Sequence, residues 1–510
     1  MTDSTTKATK VSKNTKAFGL GVFVAFMCFV TFVVTATPAG ASDVADAAQK
    51  RDTQAVRALL KDRIDVNAAQ GDGATALHWA AHWDDAELTE LLIRAGANVN
   101  AANEYGVTAL ALACANRSVA LVETLLAARA NPNAAQMTGV TPLMECARTG
   151  DLAGVTSLLA RGASVRAVHA RSGQDALMWA AAGRHSAIVK LLIDRGADVR
   201  ARSKGGFTPL MFAARSGDEE SARLLLDAGA AVDDATPEHG SALVVASAGG
   251  HEALAMFLLD RGANPNAADR SGITALHNAV QRGLTALIGV RYDDAYRLQP
   301  PNMPGLAKAL LARGANPNAR ITANDTRGPD GTPFAMKGAT PYFLAAVAGD
   351  ARLMRLLGTS GADPRLTAEG GVTPLIAAAR SACTGSCEFR GANLNVDEAA
   401  AAAALEAVTA AVELGADINA ATQDGQTAMH MAAFTGADGV VQFLADRGAT
   451  VEVQDTQGET PWSMAAGLST VLRYRGQYGA HESTATLLQK LGARPVTQDE
   501  LDARAAAAAR

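Results

Sequence analysis

Three histidines recur in one setting, Thr75-Ala-Leu-His78, Thr274-Ala-Leu-His277 and Thr427-Ala-Met-His430. An imidazole can hold a metal or move a proton, but a histidine at a helix start more often makes a structural hydrogen bond. The carboxylates offer little more. Asp293 and Asp294 are adjacent and do not converge on one point, and Asp325 and Asp330 match no calcium-loop spacing. No H-E-x-x-H, G-x-S-x-G, phosphate-binding loop or C-x-x-C-H is present, so protease, hydrolase, nucleotide and covalent haem chemistry lack a motif. An enzyme reading would have to use Tyr292, Asp293, Arg297 and Arg473, which form no nucleophile–base or metal constellation. The reading is therefore non-enzymatic, with no catalytic residue, no metal and no cofactor. The remaining chemistry is thiol chemistry. Cys383-Thr-Gly-Ser-Cys387 places two cysteines close together in one loop, the candidate disulfide.

The chain that must position these residues has 510 of them, with 46 Lys+Arg, 51 Asp+Glu, 48% apolar and only 5% aromatic residues. That apolar content excludes a disordered chain, five cysteines exclude a disulfide scaffold, and the net charge of -5 gives no field for nucleic acid. Lys7, Lys10, Lys13 and Lys16 precede an uncharged stretch from Ala17 to Ala36, and Ala39-Gly-Ala41 follows. A basic region, an apolar core and a small-residue site predict a secretory signal peptide over 1–41, cut between Ala41 and Ser42. Left uncut, the 20-residue run would be long enough to serve as a membrane anchor. Either way, lysines only upstream predict that the body lies outside the cytoplasm, in the periplasm or secreted. Removing four Lys and one Asp with this segment leaves 42 basic and 50 acidic residues, a net of -8.

The body is one unit repeated. Thr75, Thr108, Thr141, Asp175, Thr208, Ser241 and Thr274 are spaced 33, 33, 34, 33, 33 and 33 residues apart, and Thr340, Thr373, Thr427 and Thr460 continue the series. A second marker, Gly-Ala followed by Asn or Asp, comes about 21 residues later, as in Gly96-Ala-Asn98 and Gly262-Ala-Asn264. Thr, Ser or Asp suits a helix N-cap, and Pro directly after it suits the first helical position. Gly closes a second helix, and the Asn/Asp-rich stretch beyond it reads as a turn.

With Asp72-Gly-Ala-Thr-Ala-Leu-His-Trp-Ala-Ala81 and Leu91-Leu-Ile-Arg-Ala-Gly-Ala-Asn-Val-Asn100, the chain resembles the ankyrin repeat. The resemblance implies an all-α ankyrin-repeat solenoid of helix–turn–helix units with β-turn fingers. An N-terminal partial unit occupies 42–69, about eleven repeats occupy 70–496, and an Ala-rich tail, expected to be frayed or loosely helical, runs over 497–510. Thr274 to Gly314 is 40 residues and Gly314 to Thr340 is 26, so extra sequence enters both within and after that repeat. Insertions fall near 284–305, 322–338, 382–398 and 467–481.

In such a fold the regular positions stack on neighbours, so partner contacts fall to the rest. The resemblance puts the residues seven and eight after the Thr on a concave groove. These include Trp83, Arg148, Arg215, Arg282 and Phe434, and Tyr105 sits at a finger tip. Cys114 and Cys146, in first helices of adjacent repeats, are read as small packing residues in place of Ala. The expectation is an exported monomeric scaffold or adaptor for an unidentified protein partner. It would bind no nucleic acid and touch membrane only through an uncut N-terminal segment; a secreted effector acting on a host protein is the alternative.

Overall fold

In the computed structural model, the residues described are 42–281, 303–322, 336–382, 398–468 and 479–508. The threonines do what their position predicts. Thr108, Thr141, Thr208, Thr340 and Thr373 have extended backbones, and each hydroxyl accepts the amide three residues on; Asp175 accepts from Met178. Short first helices follow, among them Ala76–His82, Ala109–Ala115, Pro142–Thr149, Ala176–Ala182, Pro209–Ser216 and Ala428–Thr435. Many second helices carry their own caps, with Asp52, Asp85, Ser118, Asp151, Asp218 and Asp350 accepting from the first turn. Twelve such pairs are formed by the described residues, beginning with Asp43–Gln49 and Thr53–Lys61 and ending with Pro461–Ala465 and Glu482–Lys490.

Each first helix packs on the first helix of the next unit, and each second helix on the next second helix. Alanines five and six residues after the cap make the close approach possible. Ala80, Ala81, Ala113, Ala147, Ala180 and Ala181 are all fully buried. Leucines such as Leu77, Leu88, Leu92, Leu121 and Leu125 fill the space between the two layers. The core is continuous along the stack, because no unit buries its apolar faces alone.

The Asn/Asp-rich stretches do more than turn the chain. Asn133 accepts from the Ser164 amide at 2.7 Å and donates to the Gly162 carbonyl at 3.0 Å, both in the next unit. Asn67, Asn100, Asn266, Asn318 and Asn419 reach forward in the same way. They partly satisfy the unpaired polar groups where a second helix ends in a left-handed residue, Gly in most units and Arg129 beside Asn100. Neighbouring finger tips are joined by main-chain hydrogen bonds, for example Met137 N–H to the Tyr105 carbonyl at 2.9 Å. One finger forms a short antiparallel pair, Ala235–Thr236 with Gly240–Ser241.

Of the two states expected for the C-terminal end, frayed or loosely helical, the structure has a packed helix. Gln498–Ala508 is a helix whose Leu501 is fully buried, and Arg504 lies against Gly458 in the last finger. Thr497 and Glu500 cap each other's backbone amides at 3.2 Å, a Thr-x-x-Glu capping box legible in the sequence. The residues 1–41 and most of the four insertions, with Tyr292, Asp293, Asp294, Arg297, Asp325, Asp330 and Arg473, lie outside the described residues.

One capping group is out of balance. Asp175 is buried where most repeats have Thr, and burial pushes its carboxyl up to about 6. A carboxyl whose folded pKa is raised favours the fold below the unfolded value of 3.8, and that contribution is lost as pH rises through about 6. Asp175→Thr keeps a capping oxygen without the buried charge. It should raise stability by about 1–2 kcal/mol at neutral pH, with the gain disappearing near pH 4. Denaturant unfolding at the two pH values checks this, and an equal effect at both would refute it.

Candidate protein-binding surface

Trp83 caps the C-terminal end of Ala76–His82 and is 37% exposed. Its indole N–H donates to the Gln49 carbonyl at 3.2 Å, and its ring stacks on Trp79 with centroids 6.5 Å apart. His82 lies edge-on at 4.6 Å, and the Arg51 guanidinium sits 5.4 Å from the ring centroid. This is a partly exposed aromatic side chain held by four neighbours. Tyr105 is 58% exposed at its finger tip. Its phenol pKa is raised by a hydrogen bond to Glu104 and by that residue's charge.

The arginines are individually positioned. Arg148 donates through Nε and Nη2 to one oxygen of Glu145, at 2.9 and 2.7 Å. Arg215 lies over Phe212 and Phe207, its Cζ 5.0 and 5.8 Å from the ring centroids. Phe434 is half-buried, with the Arg380 guanidinium 5.3 Å from its ring. Trp83, Arg148, Arg215 and Phe434 therefore share one place in the repeat, the last turn of the first helix. Tyr105 belongs to a separate surface, the fingers, where Met137 and Val168 are also exposed. Arg282 lies outside the described residues.

The histidines read first from the sequence are structural. The His78 Nδ1 accepts from the Thr75 amide at 3.0 Å, so its Nε2 carries the proton given to the Val107 carbonyl 2.9 Å away. His430 repeats this with the Thr427 amide and the Glu459 carbonyl. Among the described residues, no group of three or more His, Cys, Asp or Glu side chains could hold a metal ion.

The cysteine assignment is corrected. Cys114 and Cys146 form a disulfide, with Cα atoms 4.6 Å apart and both side chains fully buried. Cys383 and Cys387, the pair expected to join, lie outside the described residues. Cys114 is the sixth residue after its cap and Cys146 the fifth after its own, the positions that elsewhere place two alanines across adjacent first helices. Alanines in that contact come close enough for a cystine to replace them. The signal was a separation of 32 residues, one short of the repeat. Gly154 is the second half of the same arrangement. It stands where Leu88, Leu121, Ile188 and Leu254 occur in other second helices, and a Cβ there would lie 2.1 Å from the Asp151 Oδ2 and 2.7 Å from the Cys146 sulfur.

Comparison with known proteins agrees with this geometry. A family model described as ankyrin repeats (3 copies) matches residues 44–136, 143–236 and 397–499, and a second, ankyrin repeats (many copies), matches 243–286. The chain belongs to the ankyrin-repeat family. Among solved structures it is similar to the human ASB11 ankyrin repeat domain, at 26% identity and a TM-score of 0.39, over 44% of this chain and 99% of that one. No curated protein matches it. Repeats of this family are scaffolds for protein–protein interaction, the role this fold implies.

Proposed function

We propose that the protein is an exported scaffold that binds another protein through the first-helix ends of its repeats, with Trp83 and Phe434 as aromatic anchors and Arg148 and Arg215 as flanking contacts. The carrying observation is the Trp83 side chain. A half-exposed indole stacked on Trp79, bonded to Gln49 and covered on one side by Arg51 is ordered before any partner arrives, which lowers the entropy lost on binding. Export is supported by the basic and apolar N-terminal segment and by the Cys114–Cys146 bond, which suits an oxidising compartment.

Affinity capture from envelope extract of the source organism tests the reading. The wild-type chain should retain one stoichiometric protein. Trp83→Ala with Phe434→Ala should reduce its yield at least tenfold, since each anchor contributes about 1–2 kcal/mol or more. Tyr105→Ala, on the finger surface, should leave the yield nearly unchanged. Undiminished capture by the double variant would remove the first-helix ends as the site.

A further inference from the structure

Among the described residues, the turn between the two helices of most units passes through one left-handed residue. Glycine fills that slot in several repeats, as at Gly150, Gly217, Gly250, Gly349 and Gly436, and it is the residue that adopts this backbone without steric penalty. At Arg51, Arg117 and Arg184 the same slot holds arginine, with φ of 59°, 59° and 61°. A side chain there is strained by its own Cβ, so its presence calls for a reason outside the local fold. All three are exposed. Arg117 and Arg184 have no carboxylate partner among the described residues.

The neighbouring units supply the rest of a row. Arg148 and Arg215 stand two residues before the slot in the intervening repeats, on the last turn of their helices. Four consecutive units thus present Arg117, Arg148, Arg184 and Arg215, alternating between turn and helix end along one edge, with Arg51 and Trp83 at its N-terminal end. Carboxylates on this edge are mostly occupied. Asp52, Asp85, Asp151 and Asp218 accept amides of their own second helices. Glu145 pairs with Arg148, which leaves Asp84 as the exception.

We infer that this edge receives an extended acidic segment of the protein partner, its carboxylates spaced every third residue and its leading apolar side chain on Trp83. The inference rests on the binding reading above and adds the partner's chemistry. Packed helices lie about 10 Å apart, which is about three residues of extended chain at 3.3 Å each. Residues three apart on an extended chain point to opposite sides, and the arginines alternate between two tracks in the same way. Guanidinium forks match planar carboxylates. A membrane or a duplex would also meet the acids of the adjoining second helices, Glu87, Glu90, Glu219 and Glu220, within a body of net acidic charge.

The test titrates the full-length chain with a labelled peptide of about a dozen residues carrying Trp at its start and Glu at every third position. A matched peptide has Gln at those positions. The Glu peptide should bind with an affinity that falls with salt, and the Gln peptide should not bind. Arg117→Gly with Arg184→Gly should weaken binding roughly tenfold while the unfolding midpoint stays level or rises, because Gly relaxes the left-handed turn. Arg117→Lys with Arg184→Lys should recover part of the loss. Equal binding of both peptides, unchanged binding by the Gly variant, or preference for phosphatidylglycerol vesicles or duplex DNA over the peptide would overturn the inference. A captured partner that still depends on Trp83 and Phe434 but not on these arginines would overturn it as well, while leaving the binding reading intact.

Discussion

Replacing both Cys114 and Cys146 by Ala should lower the stability of the N-terminal repeats by about 3–4 kcal/mol without changing their fold. The magnitude follows from the closed loop. A bond between residues 32 apart removes chain entropy from the unfolded state that grows with the logarithm of loop length. The fold should survive because the substituted pair becomes what the stack uses elsewhere, alanine against alanine on adjacent first helices. Stability in a solenoid is local plus nearest-neighbour, so the loss should concentrate around the Thr108 and Thr141 repeats rather than spread along the chain. Amide hydrogen exchange read repeat by repeat is the measurement. Protection should fall in residues near 109–160 and hold near 428–446. Uniform loss, or none, would show that the bond does not constrain this segment. The single variants should be worse than the double, since each leaves one buried thiol without its partner, and Cys114→Ala leaves the Cys146 thiol beside Asp151.

Acid should destabilise the protein through two buried histidines. His277 and His430 are fully buried, and burial lowers both to about 4 from the ordinary imidazole value of 6.5. His78 is shifted in the same direction by the same cause. In each, Nδ1 accepts the amide of the capping threonine, so a proton added there would break the cap it completes. The sign follows. A histidine whose folded value is depressed favours the fold above the unfolded value of 6.5, and its contribution is lost as pH falls from there toward 4. Each should lose about 2 kcal/mol of stability between pH 7 and pH 5. Asp175, pushed up to about 6, works against this over the same range, but one carboxyl does not offset two histidines. Replacing His277 and His430 by Gln preserves a side chain able to close the capping box. The double variant should lose most of the slope of unfolding midpoint against pH between 6.5 and 4. A slope equal to that of the wild type would assign acid sensitivity to other groups.

How much was legible depended on whether a residue's partner lay in its own unit. Thr75 and His78 are three residues apart on one helical turn, so their pairing could be read directly. The Asn stretches were legible only in part. Asn133 was recognisable as a turn former, yet both its side-chain bonds go to the following unit, at Gly162 and Ser164. The arginines at left-handed positions were invisible in the same sense. Arg117 and Arg184 are ordinary surface residues until the backbone shows that they hold the left-handed position that Gly150 and Gly217 hold in adjoining units.

The repeat, its phase and its caps could be read along the chain, because helix starts and stops are set by residues within a few positions of one another. The sequence also marked Trp83, Arg148, Arg215 and Phe434 as side chains that stacking did not require. Tertiary structure decided what crosses from one unit to the next: which cysteines join, which alanines touch, and which side chains share an edge. The physical reason is the stacking offset. The sixth residue of one first helix meets the fifth of the next, and no local rule contains that shift. It paired Cys114 with Cys146, which read along the chain as two small packing residues in place of Ala.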